Sequence, residues 1–303
     1  MTEKDLSAFA KGLKERAYNR RIWAEGEQIT AYRLFDREKS LPLAIDIFNG
    51  KYLHITHYAG DEPFEINVYL DVISRALAIE SGRIFYKERS KLKDKEQYTK
   101  QAGDSFTLWI EENGLQFLIN LSDYIDYGLF LNQRLSRRLI ADYALNKKVL
   151  NLFSYTGSFG LYAAFAGAGK VVNVDTSNTY LDWAKENMRQ NNLLTGHTSF
   201  VRADAVSFLA EAKTNKDKYD IIILDPPVFS NNKSGVLNLQ RDYAKLINDS
   251  LVILNKGGFV FFSTSLTNFD FTKHQINGKA NEVTNKTIPL DFVKPHRAWV
   301  ISH

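Results

Sequence analysis

The chain contains no cysteine in 303 residues. That absence excludes disulfide scaffolds, thiolate zinc sites, iron–sulfur clusters and every mechanism built on a cysteine nucleophile. Long apolar runs are also missing: none reaches the ~18 residues of a membrane-spanning helix, so no membrane partner is expected. The opening segment, MTEKDLSAFAKGLKERAYNRR, is charged rather than leader-like, and a cytoplasmic location is expected. Low-complexity tracts and internal repeats are absent, and no proline- or glycine-rich linker marks a boundary. What remains is an ordinary folded composition, 44% hydrophobic and 24% charged, of a length that suits about two domains.

The net charge of +4 permits a nucleic-acid partner without demanding one. Its distribution says more. Positive charge concentrates in residues 11–21, 83–100 and 134–148. The middle stretch, RIFYKERSKLKDKEQYTK, sets seven basic against three acidic residues and interleaves Phe85, Tyr86 and Tyr98. That mixture lets a surface neutralise phosphates and stack on bases, which makes Lys87, Arg89, Lys91, Lys93, Lys95 and Tyr98 candidate RNA contacts. The competing reading is a solvated hairpin. Histidines do not suggest a metal, since His54 and His57 stand at i and i+3 of a strand, on opposite faces, and the others are scattered.

Two kinds of periodicity divide the chain. Residues 4–20 carry Leu6, Phe9, Ala10, Leu13 and Ala17 at helical spacing. TAYRLFD, PLAIDIFN and KYLHITHYA then alternate with period two and predict a small antiparallel sheet. A helix over 66–80 and the strands RIFYKER, SFTLWIEE and LQFLINL follow, the last two joined at Glu112-Asn113-Gly114. Residues 1–122 are therefore read as a smaller α+β domain. Residues 123–303 repeat strand then helix: KVLNLF, KVVNVD, TSFVRAD, YDIIILDPP and GGFVFFSTS, each short, apolar and rich in β-branched residues. This predicts an α/β, doubly wound parallel sheet covered on both faces. EVTNKT and HRAWVIS, with no helix between them, predict an antiparallel edge.

In such a sheet ligands bind beyond the carboxyl ends of the strands. After the first strand come Phe153, Ser154, Tyr155, Thr156 and Gly157, without the G-x-G-x-x-G of a phosphate cradle. One close backbone approach at Gly157 suits a cofactor lacking phosphates, such as S-adenosylmethionine, although Ser154 and Thr156 also fit as helix caps. The second strand ends in Asp175, placed to accept from ribose hydroxyls. The third ends in Asp204, placed for an adenine amino group or for a cap. The fourth ends in Asp225-Pro226-Pro227-Val228-Phe229, where two prolines fix the exit of the strand. Asp225, Pro226, Pro227 and Phe229 are the candidates for the reaction centre.

Glycine loop, acid, acid and D-P-P, in that order at four successive strand ends, resemble the Rossmann-like class I S-adenosylmethionine-dependent methyltransferases. VLNLFSYTGSFG, VDTSNTYLDWAKENMRQNN, DPPVFSNNK with Gln240-Arg241-Asp242, EVTNKTIPLDF and LSDYIDYGLFLNQRLSRRLI are similar to the RlmK-type 23S rRNA guanine-N7 methyltransferases, known as the C-terminal half of the RlmKL fusion. FAKGLKERAYNRRIWAEGEQITAYRLFD and KERSKLKDKEQYTK match that family's opening segments, so the resemblance covers nearly the whole chain. It implies residues 1–122 as an RNA-recognition domain and residues 123–303 as the methyltransferase domain, with ribosomal RNA, free or in a pre-ribosomal particle, as partner. It also implies that Phe153, Ser154, Tyr155, Thr156, Gly157, Asp175, Ser177, Asp204, Ala205 and Asp225 hold S-adenosylmethionine. Residues 128–134, Asn132 and Arg134 among them, would close over its methionine end. The chain departs from the family at Asn132, where Asp is usual, and at TSLT (264–267), where a basic segment is usual. No counterpart of the fusion's N2-methylating half is expected within these 303 residues.

The missing cysteine separates the possible reactions. Methylation of cytosine C5 needs a thiolate to add to C6, and Ser263-Thr264-Ser265 stand where such enzymes carry T-C-S. Amine methyltransferases usually place an aromatic ring directly after the prolines, where this chain has Val228. Guanine N7 offers a lone pair without covalent activation and without loss of a proton. The expectation is therefore N7 methylation of a guanine in 23S rRNA. N2-guanine or N6-adenine methylation, a catalytically silent RNA-binding protein and a small-molecule methyltransferase are the alternatives.

Overall fold

Thr2 and Asp5 begin the first helix reciprocally: the Thr2 hydroxyl accepts from the Asp5 amide, and the Asp5 carboxylate accepts from the Thr2 amide at 2.9 Å. The helix continues through Gly12 and past residue 20, where it was expected to end, so that α1 runs Glu3–Gly26. In this computed structural model, which describes residues 2–38, 41–60, 64–89, 105–232 and 235–303, the chain divides into two units. One is Met1–Leu131 with Leu290–Val293, the other Asn132–Pro289 with Lys294–His303. The expected boundary after residue 122 falls short of this division, and the expectation did not include the return of 290–293 to the first unit.

The first unit continues with β1 (Ala31–Asp36), β2 (Leu43–Phe48), β3 (Tyr52–Tyr58), α2 (Ile66–Leu77), β4 (Ile84–Arg89), β5 (Thr107–Glu112) and β6 (Leu115–Asn120). β1, β2 and β3 pair antiparallel in that order, and β4 adds parallel to β3 because α2 crosses between them. The three strands expected to form an antiparallel sheet do so, and the parallel β4, whose direction was not expected, makes the sheet mixed. Leu43, Ile45, Ile47, Leu53 and Ile55 pack beneath α1 and α2. The alternate positions Asp46, His54 and Thr56 are buried on the other face. There Arg33 donates to both Asp46 oxygens at 2.8 and 2.9 Å, and the Tyr127 hydroxyl donates to the same carboxylate at 3.2 Å.

The second unit holds α3 (Arg134–Ala144), β7 (Lys148–Leu152), α4 (Ser158–Phe165), β8 (Lys170–Asp175), α5 (Asn178–Gln190), β9 (Thr198–Arg202), α6 (Ala205–Thr214) and β10 (Tyr219–Leu224). After them come β11 (Phe229–Asn232), β12 (Gly235–Asn238), α7 (Leu239–Val252), β13 (Leu254–Thr264), β14 (Lys279–Glu282), α8 (Thr284–Thr287) and β15 (Arg297–Ser302). The seven-stranded sheet runs β14-β15-β13-β10-β7-β8-β9, with β15 alone running opposite to the other six strands. Leu150, Leu152, Val172, Val174, Ile222 and Leu224 face α6 and α7. Val149, Val171, Ile221 and Ile223 face the opposite way, with Ile140 and Phe159. Apolar side chains on both sides of each strand explain why no alternation was visible. The order reverses between β7 and β10, so their carboxyl ends form the switch point at which a ligand site is expected.

The edge differs from the expected strand EVTNKT. Only Glu282 of that segment lies in β14. From Val283 on, the Thr284 hydroxyl accepts from the Ala298 amide at 3.0 Å and takes over from the ladder, and α8 begins. The hairpin β11–β12 directly after D-P-P was not anticipated. Among the described residues no helix is long and apolar enough to cross a membrane.

Candidate active site

The glycine loop, the strand-end acids and the D-P-P segment all lie in the second unit. Residues 153–157 follow β7 with alternating left-handed backbone: φ is 55° at Phe153, 48° at Tyr155 and 75° at Gly157. Two non-glycine residues in this region carry a conformational cost, which surrounding contacts hold in place. Asp175, at the end of β8, is one of them: Oδ2 accepts from the Tyr155 amide and Oδ1 from the Ser177 amide, both at 2.9 Å. Asn187 on α5 donates to the Thr156 carbonyl at 3.0 Å from the other side.

Gly157 is required by packing as well as by its left-handed backbone. A Cβ there would lie 2.7 Å from the Ala184 Cβ of α5, so loop and helix approach closely at this point. Gly160 is similarly pinned, because a Cβ would meet the buried Asn173 Oδ1 at 2.2 Å. Asn173 accepts there from Asn151 at 2.9 Å, a polar pair set across β7 and β8 immediately below the loop.

Among the expected cofactor residues, the structure brings Phe153–Gly157, Asp175 and Ser177 together around this loop. Ser177 caps α5, its Oγ accepting from Tyr180 at 3.4 Å. Asp204 caps α6: its Oδ1 accepts from Val206 and Ser207 at 3.1 Å, the alternative that the sequence left open. Ala205 begins that helix and is buried. Thr156 is buried, and Ser154 is buried with a hydroxyl that has no protein partner. A buried unmatched hydroxyl is open to a polar partner, from a ligand or from water. Burial raises the Asp175 carboxyl pKa, and the loop amides oppose that shift. Each Asp175 oxygen that takes one amide has further lone pairs for a ribose hydroxyl. These features fit S-adenosylmethionine. Hydrogen bonds to a charged acceptor are worth about 1.5–3 kcal/mol each. Asp175→Ala is therefore expected to weaken S-adenosylmethionine binding about tenfold or more by calorimetry. Thermal melting of the same variant should remain cooperative.

The D-P-P segment leaves β10 at the switch point. Asp225 is half-buried, Pro226 is buried, and Phe229 at the start of β11 is 64% exposed, free of the core for contact with a planar ligand. The Asp225 carboxylate receives the Ser263 hydroxyl at 2.6 Å on Oδ1 and the Gln133 amide at 3.1 and 3.2 Å on its two oxygens. Burial raises its pKa. The Ser263 and Gln133 hydrogen bonds and the charge of Arg137 pull it back. Neither Gln133 nor the Ser263–Asp225 contact was found in the sequence. Gln133 stood inside the quoted GLFLNQR, but its partner lies 92 residues on.

Arg134 and Arg137 are buried side chains of α3, so the 134–148 stretch is less of a basic surface than its composition suggested. Asn132 contacts the ring Nδ1 of buried His296 at 3.2 Å, and the ring Nε2 lies 3.0 Å from the Thr287 hydroxyl. Burial lowers that imidazole to about 4, so it is neutral and an acceptor for the Asn132 amide.

The expected RNA contacts lie in the first unit or outside the described residues. Lys87 is 8% exposed and donates to the Ser122 carbonyl at 2.5 Å. A buried, satisfied ammonium is not an open phosphate contact, which corrects its assignment. Arg89 pairs with Asp126 at 2.6 Å. Lys91, Lys93, Lys95 and Tyr98 fall outside the described residues.

Comparison with known proteins agrees with the geometry. The model of the S-adenosylmethionine-dependent methyltransferase family matches residues 59–274. Ribosomal RNA large subunit methyltransferase K of Neisseria meningitidis is 38% identical over 99% of this chain and 88% of its own length. Ribosomal RNA large subunit methyltransferase K/L of Colwellia psychrerythraea is 37% identical over 97% of this chain, which spans only 43% of that longer protein. Among solved structures, the methyltransferase SMU.776 complexed with SAH superposes with a TM-score of 0.79 at 25% identity, over 98% of this chain and 82% of its own. With the strand order, the acid at the end of β8, the D-P-P segment and a family match across most of its length, the chain belongs to the S-adenosylmethionine-dependent methyltransferases.

Proposed function

We propose that this enzyme methylates N7 of a guanine in 23S ribosomal RNA. The substrate class follows the names of the relatives, the first of which matches this chain over most of both lengths. The observation that carries the choice of reaction is the absence of cysteine: Ser263-Thr264-Ser265 stand where cytosine-C5 enzymes carry T-C-S, so Thr264 takes the place of the thiolate. A hydroxyl is far costlier than a thiol to ionise at neutral pH and does not replace it in covalent activation of a ring carbon. Acceptors that attack directly remain.

S-Adenosylmethionine, when bound, supplies a methyl group on a positively charged sulfur. Asp175 would accept from its ribose hydroxyls, while Ser154 and the loop 153–157 enclose it. Residues 132–134 would line its methionine end, Asn132 being held by His296. For the acceptor, N7 has no proton to lose, so the residues around Asp225 must orient the base and exclude water rather than deprotonate it. The ionised Asp225 carboxylate would stabilise the positive charge that the purine acquires, and the exposed Phe229 ring would stack on the base.

N7 lies in the deep groove of an RNA helix, which side chains do not enter, so the guanine must be unpaired or extruded. Residues 1–122 would grip the surrounding RNA, with Arg89 and the segment that follows it as contacts. Mass-spectrometric mapping of rRNA from cells with and without the protein tests the proposal. Loss of one methylguanosine from large-subunit rRNA is expected, and an unchanged large-subunit map would refute it.

A further inference from the structure

We propose that Gln133 and Ser263 are positioning residues for methyl transfer that act on the acceptor base only through the carboxylate of Asp225, with Ser136 fixing the direction of Gln133. Three segments converge on this carboxylate: the turn before α3, the end of β13 and the exit of β10. All the hydrogen bonds they bring to it are donated. Ser263 uses its single proton on Oδ1, and the Gln133 amide spans both oxygens. Gln133 Nε2 also lies 3.3 Å from the Ser263 oxygen, so the two donors support each other.

The amide cannot turn over. Its Oε1 accepts from the Ser136 hydroxyl at 2.6 Å, and a flip would place that carbonyl oxygen against a carboxylate. Gln133, Ser136 and Ser263 are all buried, which gives these bonds a low-dielectric setting and a single geometry. A protonated Asp225 would have to face its own O–H toward N–H and O–H donors. These donors favour the anion against the burial that raises the carboxyl pKa, and the charge of Arg137 on α3 pulls the same way as the donors. The two donors fix the plane of the carboxylate and leave acceptor capacity on Oδ2, which takes one bond where Oδ1 takes two.

This rests on the reading that Asp225 serves the acceptor base, and coupling measurements separate the two ideas. Single-turnover methyl transfer to transcribed large-subunit rRNA is measured for Ser263→Ala and Gln133→Leu, alone and combined with Asp225→Asn. Each single change is expected to cost about tenfold, as for hydrogen bonds to a charged group, and to move the acid limb of the pH–rate profile to higher pH. The direction follows from linkage: removing a donor makes the anion harder to form, so activity fails earlier as pH falls. In the Asp225→Asn background the same changes should cost no more than about twofold. Full, additive losses in that background, or an unmoved acid limb, would overturn the proposal. Ser263→Ala removes one oxygen, so it keeps the test available if Gln133→Leu does not fold. If the coupling holds but the product is not N7-methylguanine, the positioning role stands and the N7 reading fails.

Discussion

Asp225→Asn is expected to slow single-turnover methyl transfer by about 2 kcal/mol or more, roughly 30-fold. The shape of the side chain is kept, but the negative charge facing the acceptor is lost. The wild-type rate should be nearly flat between about pH 6 and 9, because a guanine N7 has no proton for a base to remove. Burial raises the Asp225 pKa, and activity that needs the anion is present above that value and lost as pH falls through it. In the variant the acid limb should disappear with the carboxylate. A rate within about threefold of wild type would remove Asp225 from the chemistry, since electrostatic contacts at a reacting centre are worth far more.

The second large effect concerns stability of the first unit. Asp46→Ala is expected to cost about 3 kcal/mol or more in denaturant unfolding, as for other buried ion pairs that lose one partner. Asp46 is 1% exposed, receives two bonds from Arg33 and one from Tyr127, and stands opposite His54 in the β2–β3 register. Removing it leaves the buried guanidinium with Asp36 at 3.3 Å and the face of the Phe292 ring. Replacing Arg33 and Asp46 together by apolar residues should cost less than Asp46→Ala alone, because no unpaired charge remains. His54 adds a pH dependence. Burial, then the charges of Lys87, Arg33 and Arg89, push its pKa from 6.5 down to about 3. The unfolded chain therefore takes up the proton first, and this contribution is complete above about pH 6.5 and lost as pH falls toward about 3.

Much of this architecture was legible in the sequence because each apolar β-branched run ended in a recognisable residue. Asp175, Asp204 and Asp225-Pro226-Pro227 marked three strand ends, and each lies at one. What the sequence could not show was pairing over distance. Gln133 and Ser263 meet Asp225 across 92 and 38 residues, and no local pattern announces such a contact. Gly157 was read as making room for a ligand, and the room it also makes for Ala184 is one that only helix packing reveals. Lys87 was read from charge as a surface residue, whereas a lysine stem on a strand beside apolar neighbours can be drawn inside once its ammonium finds a carbonyl. The parallel placement of β4 escaped because a period-two strand looks the same in either direction.

The most direct test of the central claim is the identity of the methylated product. Large-subunit rRNA transcribed without modifications is incubated with the protein and S-adenosylmethionine, then subjected to mild reduction and aniline. N7-methylguanine is cleaved under these conditions, so strand scission at one guanine, dependent on the protein and weakened by Asp225→Asn, is the predicted result. Methyl incorporation without scission, with N2-methylguanine or N6-methyladenine as the sole modified nucleoside, would contradict the account.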